Sequence, residues 1–240
     1  MESKNYNVNK ILSDLKSQAD GMILGSETSG CVEIYKSFKD RSNQLVLECG
    51  VNKGFSSSLF TALSENNNST CYSVDILDCK DVVKSNKWFF FQSDDRDEKK
   101  ILTSFPKIQT LGIDILYIDS LHTPEHVREV LYTWYPYLNK NSLVFIDDID
   151  SYIYKKGNRK DSIMNEVYND GINQFIHDFA ESNRLDVSLV QYYYKNGIAK
   201  LSKSSDKGSL PIKINIKKRL FGQIAFIKLS RKIKNYLRRK

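Results

Sequence analysis

Glu48-Cys49-Gly50-Val51-Asn52-Lys53-Gly54-Phe55-Ser56 joins an apolar run at residues 44–48, which reads as a strand, to a helical stretch at residues 55–63. Two glycines four positions apart at such a junction let the backbone turn sharply and let a ligand approach the main chain. Ser56 stands near the start of the helix, where free N–H groups attract an anionic group. The spacing is not Gly-x-Gly-x-x-Gly, and no Lys-Ser/Thr follows to make a Walker loop. An ordinary strand-to-helix turn is the plainer reading, so the loop needs support from elsewhere in the chain.

That support is Asp75, which closes Tyr72-Ser73-Val74-Asp75 at the end of a second strand read at residues 70–75. An acidic side chain about 20 residues beyond a glycine loop can accept hydrogen bonds from both hydroxyls of a ribose. Alone it would read as a cap. Together the two features favour a nucleoside-containing ligand.

Along the rest of the chain, apolar runs and helical stretches alternate. A third strand reads at residues 88–92, a helix at 96–105, a fourth strand at 114–119, a helix from Pro124 to Tyr137 and a fifth strand at 143–147. This alternation predicts a parallel sheet covered on both faces. An amphipathic helix at residues 7–20 precedes it, with Val8, Ile11, Leu12 and Leu15 on one face. After the fifth strand comes a polar segment, 154–161, read as a loop and candidate lid. Ile172, Phe175, Ile176 and Phe179 then mark a helix preceded by Asp170-Gly171. Strands at 185–194 and 198–202 flank Lys195-Asn196-Gly197, a hairpin signal. The fold class expected is α/β, with a seven-stranded, mostly parallel sheet ending in an antiparallel hairpin.

The 240 residues are 40% hydrophobic and 27% charged, which excludes wholesale disorder. Cys31, Cys49, Cys71 and Cys79 form no Cys-x-x-Cys pair, which disfavours a zinc ribbon or disulfide scaffold and points to a reducing compartment. No apolar stretch follows the first residues, so no signal peptide is expected, and no run of about 18 apolar residues suggests a membrane span. The net charge of +7 is uneven: residues 207–240 hold twelve Lys and Arg and no acid, leaving −5 on residues 1–206. We therefore read a domain at 1–206 and a basic tail at 207–240. In the tail Ile216, Leu220, Ile224, Ile227, Leu229, Ile233, Tyr236 and Leu237 recur mostly three or four apart, among cations. A basic amphipathic helix suits an anionic membrane surface. Packing on its own domain is the plainer alternative, and few aromatics for stacking disfavour nucleic acid.

Two strand ends carry acids: Asp119-Ser120-Leu121-His122 and Phe145-Ile146-Asp147-Asp148. In a parallel sheet both lie at the carboxyl edge, where ligands bind. Like charges so placed repel, and a divalent cation relieves that; oxygen donors suit magnesium. The alternative for Asp147, Asp148 and His122 is capping of a turn or helix. His126 and His177 have no carboxylate constellation as suggestive.

Glu48-x-Gly50-x-x-x-Gly54-x-Ser56, Asp75 and the final hairpin together resemble the class I S-adenosylmethionine-dependent methyltransferases over roughly residues 40–202. The resemblance implies a Rossmann-like sheet and S-adenosylmethionine as donor. It implies a donor site of Glu48, Gly50, Gly54 and Ser56 around the methionine portion, Asp75 at the ribose and Asp94 at the adenine. Asp119-x-x-His122, Trp134-Tyr135-Pro136 and Asp147-Asp148 resemble, more narrowly, the metal-dependent sugar O-methyltransferases of the macrocin/mycinamicin type and the cephalosporin-hydroxylase-like group. That implies magnesium, or another divalent cation, on Asp119, Asp147 and Asp148, with Asp119 and His122 catalytic and His122 the base. Two departures bear on substrate preference: Pro124 where an aromatic often follows the histidine, and Asn141-Ser142 in place of a glycine turn. The expected function is O-methylation of a sugar hydroxyl on a glycan or glycoconjugate, in the cytoplasm, with the tail peripheral on the inner membrane face. An RNA methyltransferase using the tail, or a non-catalytic binding protein of the same fold, are the alternatives. The chain has no Asn-Pro-Pro-Tyr-type motif or evident RNA module, and the glycine spacing and hairpin disfavour a nicotinamide oxidoreductase.

Overall fold

The computed structural model describes residues 8–19, 29–155, 158, 162–193, 196–216, 222 and 225–230. In chain order the main elements are α1 (Val8–Ala19), α2 (Ser29–Phe38), β1 (Leu45–Cys49), α3 (Phe55–Asn67), β2 (Thr70–Asp75), β3 (Trp88–Gln92), α4 (Glu98–Ser104), α5 (Pro106–Leu111), β4 (Ile113–Ile118), α6 (Pro124–Trp134), β5 (Leu138–Asp147), α7 (Ile163–Ser182), β6 (Val187–Tyr192) and β7 (Ile198–Lys203). They form one seven-stranded sheet in the order β3-β2-β1-β4-β5-β7-β6. β1 pairs in parallel with β2 and β4, as do β2 with β3 and β4 with β5. β7 runs antiparallel between β5 and β6. This is the mostly parallel α/β sheet with a terminal hairpin that the sequence predicts.

The alternation of side chains along each strand builds two cores. Leu45, Leu47 and Cys49 of β1 face α4 to α7, joining Ile101, Ile108, Trp134 and Phe179. Val46 points the other way, with Leu15 of α1, Phe38 of α2 and Phe60 of α3. The order reverses around β1, whose neighbours β2 and β4 leave a crevice at their carboxyl ends. Such a reversal is where open α/β sheets bind ligands.

Several boundaries differ from expectation, each for a local reason. The single helix expected at 96–105 is two, α4 and α5, and Pro106 starts the second, since its missing N–H is no loss in a first turn. α2 had no counterpart in the sequence reading. α7 runs through Asp170-Gly171, capped by Ser162, whose side chain accepts from Asn165 N–H. Gly171 serves packing there: a Cβ would stand 2.5 Å from Pro124 Cγ at the start of α6. Gly197 takes φ +73° in the hairpin turn, while Lys195 lies outside the described residues. So do 156, 157 and 159–161 of the expected lid, and half of the expected tail, including Leu220, Ile224, Ile233, Tyr236 and Leu237.

The segment after β7, part of which the sequence assigns to the tail, runs on the body. Gly208 N–H donates to Pro136 O (2.8 Å), Lys207 Nζ to Thr110 O (2.9 Å) and Ile214 N–H to the Tyr132 hydroxyl oxygen (2.8 Å). Ile214 and Ile216 pack against the first core. Among the described residues no helix is long and apolar enough to cross a membrane.

Candidate active site

β1 ends in the glycine loop, and three neighbours fix its course. Gly50 N–H donates to Val74 O (2.9 Å) and Asp119 N–H to Cys49 O (2.8 Å). Gly50 has φ +99°, and a Cβ there would lie 2.3 Å from Asp119 O, so the loop and the turn after β4 touch through backbone. Asp75 holds the loop from the other side. Its Oδ2 accepts from Val51 N–H (2.8 Å) and Asn52 N–H (3.0 Å), and its Oδ1 from Leu77 N–H (2.9 Å).

Glu48 has a different role from the one the resemblance implies. It is fully buried and accepts from Ser56 Oγ (2.6 Å), Ser57 Oγ (2.7 Å) and Ser73 Oγ (2.5 Å). Burial pushes its carboxyl up to about 7 against the opposing pull of those hydroxyls. Glu48 and Ser56 thus bind each other and tie β1 to α3 and β2. A cleft of about 540 Å³ opens beside them, lined by Gly50, Asp75, Asp94, Asp95, Asp119 and His122 among others. Glu48, Gly54 and Ser56 stand outside that lining, so of the six expected donor-site residues Gly50, Asp75 and Asp94 face it. Ile76, Leu77 and Leu121 form its exposed apolar lips. Both Asp94 oxygens are taken by Arg96, at 2.9 Å from Nε and 2.6 Å from Nη2. The guanidinium holds that carboxyl well below the usual carboxylate range.

The ends of β4 and β5 bring Asp119, His122, Asp147 and Asp148 together. His122 Nε2 lies 2.9 Å from Asp119 Oδ1 and its Nδ1 lies 2.5 Å from Asp148 Oδ2. Burial alone would lower this imidazole, but hydrogen bonds to Asp119 and Asp148 overcome it and push it up to about 10. Tyr117, which sequence reasoning passed over, directs its hydroxyl at Asp119 Oδ2 (3.0 Å) and Asp147 Oδ2 (3.3 Å). Burial, then the negative charges of Asp119 and Asp148, push the Asp147 carboxyl well above the usual range. Asp148 adopts φ +56°, and its Oδ1 is buried with no hydrogen-bond partner.

Among the described residues no three His, Cys, Asp or Glu side chains stand around one point as a finished metal site. The acids are bridged by Tyr117 and by the His122 ring instead. The donor chemistry still fits a hard divalent cation: three carboxylates, one with an orphaned buried oxygen and one destabilised by its like-charged neighbours.

His126 has a carboxylate partner that no spacing in sequence made suggestive. Its Nε2 lies 3.0 Å from Asp95 Oδ1 and 2.9 Å from Ser120 Oγ, and Ser120 Oγ donates to Asp95 Oδ2 (2.5 Å). Asp95 beside Asp94 was the only sequence signal, and nothing local linked it to a residue 31 positions away.

Residues 47–149 match the model of a methyltransferase domain family. No curated protein matches the sequence. Among solved structures, the chain resembles the MycE methyltransferase from the mycinamycin biosynthetic pathway, in complex with Mg, SAH and mycinamycin VI. Identity is 20% and the TM-score 0.56, over 84% of this chain and 57% of that one. This chain therefore spans less than two thirds of MycE's length. It also resembles the SAH-bound methyltransferase PaMTH1 of Podospora anserina (12% identity, TM-score 0.54, 83% and 89% coverage). A third is the O-methyltransferase TomG of Streptomyces achromogenes, in complex with SAM (13% identity, TM-score 0.50, 85% and 93% coverage). The family match spans Gly50 and Gly54 of the glycine loop, Asp75 and both acidic strand ends, so the similarity to a methyltransferase domain falls on the residues that gather at the carboxyl edge of the sheet.

Proposed function

We propose that this chain transfers a methyl group from S-adenosylmethionine to a sugar hydroxyl of a glycan or glycoconjugate, with a divalent cation, magnesium by its donor chemistry, on Asp119, Asp147 and Asp148. The observation that carries this reading is the convergence of those acids around His122 and Tyr117, with Asp119 and His122 on the wall of the cleft beside Gly50 and Asp75. The likeness to an enzyme solved with Mg, SAH and mycinamycin VI supports it. When bound, the cation lowers the pKa of a coordinated hydroxyl and the sulfonium donor supplies the methyl group for in-line displacement. Asp75 fixes the loop that faces the donor, and Gly50 lets that loop lie against the Asp119 turn. His122, whose ring nitrogens face Asp119 and Asp148, would in its neutral form accept the hydroxyl proton.

Calorimetric titration of the full chain with S-adenosylmethionine tests the donor site; no binding by the folded protein overturns the reading. Mass spectrometry of glycan acceptors should show a one-methylene increment that chelation abolishes and magnesium restores. Full transfer in chelator removes the cation from the account. His122→Ala should slow transfer by about 10²–10⁴-fold.

The tail belongs to the same proposal. Phe226 and Leu229 are exposed beside Lys228, as a helix resting on an anionic membrane at the cytoplasmic face requires. Because residues 207–216 lie on the body, the informative deletion is 217–240. Loss of co-sedimentation with phosphatidylglycerol vesicles, but not of donor binding, is expected; unchanged co-sedimentation refutes the membrane role.

A further inference from the structure

Three turns wall the cleft: the glycine loop after β1, the Asp94-Asp95 turn after β3 and the Asp119-Ser120 turn after β4. The first and third touch through Gly50 and Asp119. The second and third are joined by side chains that the proposed chemistry does not use. Asp95 is 4% exposed and lies at their junction. Its Oδ2 accepts from Ser120 Oγ (2.5 Å), its Oδ1 faces His126 Nε2 (3.0 Å), and its carbonyl accepts from Trp134 Nε1 (2.8 Å). His126 belongs to the first turn of α6 and is 7% exposed, so a rigid element backs the junction.

Stability alone does not explain the choice of residues. His126 Nδ1 is buried with no hydrogen-bond partner, and an unsatisfied buried polar atom costs stability. An apolar cluster of similar volume would avoid that cost. Local rules are broken in this way where a site demands it. Asp95, Ser120 and His126 all line the cleft, and Ser120 directly follows Asp119.

We propose that Asp95, Ser120 and His126 are positioning residues that couple the donor-facing turn after β3 to the acid-bearing turn after β4, so that donor and divalent cation bind cooperatively. The inference rests on the functional reading above, because it takes the two ligands from there. Ordering the Asp94-Asp95 turn around the adenosyl group orders Ser120 through its hydrogen bond, and with it Asp119. The second ligand then meets a turn already held. Coupling of this kind is reciprocal: each ligand tightens the other by the same factor.

The test is calorimetry on the full chain with magnesium and S-adenosylhomocysteine, each titrated with and without the other. The demethylated product lacks the sulfonium charge, so direct repulsion of the cation does not enter. In the wild type, saturating S-adenosylhomocysteine should tighten magnesium binding by about fivefold or more. Ser120→Ala should bring that factor to within about twofold of unity, and Ser120→Thr, which keeps the hydroxyl, should restore it. Asp95→Asn keeps the volume while weakening the acceptor and should also lose the coupling; it decides the matter if Ser120→Ala does not fold. A merely structural role would lower the melting temperature of these variants and leave the factor unchanged. Independent binding in the wild type, or coupling that survives in the folded variants, overturns this inference and leaves the functional reading standing. Failure of the wild type to bind S-adenosylhomocysteine at all overturns both.

Discussion

Gly50→Ala perturbs the point where the glycine loop meets the acid-bearing turn. Gly50 has φ +99°, so any Cβ first incurs a backbone cost of about 1–2 kcal/mol. It would then lie 2.3 Å from Asp119 O, 2.6 Å from Asp119 C and 2.8 Å from Ser120 N. Carbon meets its neighbours at about 3.5 Å, so the Asp119-Ser120 backbone must retreat by about 1 Å. These are main-chain atoms held by the Asp119 N–H to Cys49 O bond, so no rotamer change relieves them. Overpacking of this kind adds about 1–3 kcal/mol. The total is about 3 kcal/mol, which lowers the melting temperature by about 9 °C for a chain of this size. A shift of about 1 Å in Asp119 should also reduce transfer by about 10²-fold. Gly208 supplies the control: it has φ +89° with nothing within 4 Å of a Cβ, so Gly208→Ala meets only the conformational cost. Differential scanning calorimetry of both variants, with S-adenosylhomocysteine titrations, separates the two contributions. Equal destabilisation by the two substitutions, with donor affinity unchanged in Gly50→Ala, would refute the contact argument.

Three further outcomes are expected. Glu48 is held up to about 7 against an ordinary 4.5, so the native state binds its proton more tightly than the unfolded chain. Its contribution therefore turns unfavourable as pH rises from about 4.5 and is complete above about 7, worth up to about 3 kcal/mol. Urea denaturation from pH 5 to 8 should show Glu48→Gln with a flatter stability profile than wild type, and parallel profiles would count against a buried, strained carboxylate. Asp75→Ala removes the acceptor of three loop N–H groups and should cost about 2 kcal/mol of stability and at least about tenfold in donor affinity, read by calorimetry. Lys203 is 3% exposed and donates to Leu138 O, Ser205 O and Asp206 O at the far end of β7. Lys203→Met should lower stability by about 2–3 kcal/mol while donor affinity stays within twofold, because the cleft lies at the opposite edge of the sheet.

The fold was legible where local pattern and burial agree. β2 and β3 occupy the residues that the sequence indicates, because both read as short apolar runs bounded by polar turns. Where packing overrides local preference the reading slipped. Asp170-Gly171 looks like a helix start, yet α7 passes through because Pro124 of α6 leaves room only for a glycine. Lys207 and Gly208 fall in the expected tail, yet they bond to Thr110 and Pro136, partners far away in sequence. No local pattern encodes the shape of the surface on which a segment comes to rest.

The site divides along the same line. Asp119, His122, Asp147 and Asp148 were readable because a parallel sheet delivers the ends of neighbouring strands to one edge, whatever lies between them in sequence. Glu48 and Ser56 were readable as a pair at the glycine loop, but the direction of their side chains was not. Pleating turns Glu48 toward α3 and Ser73, so the carboxylate is spent inside the domain and Gly50 and Asp75 are left to face the cleft. The tie from Asp95 to His126 was illegible for a stronger reason. It joins three elements, and no spacing in sequence relates its members to one another. Strand ends thus announce which groups gather at the rim. What holds those groups in register is set by contacts between turns, and a substitution at Gly50 or Ser120 can therefore disable a site whose charged residues are all intact.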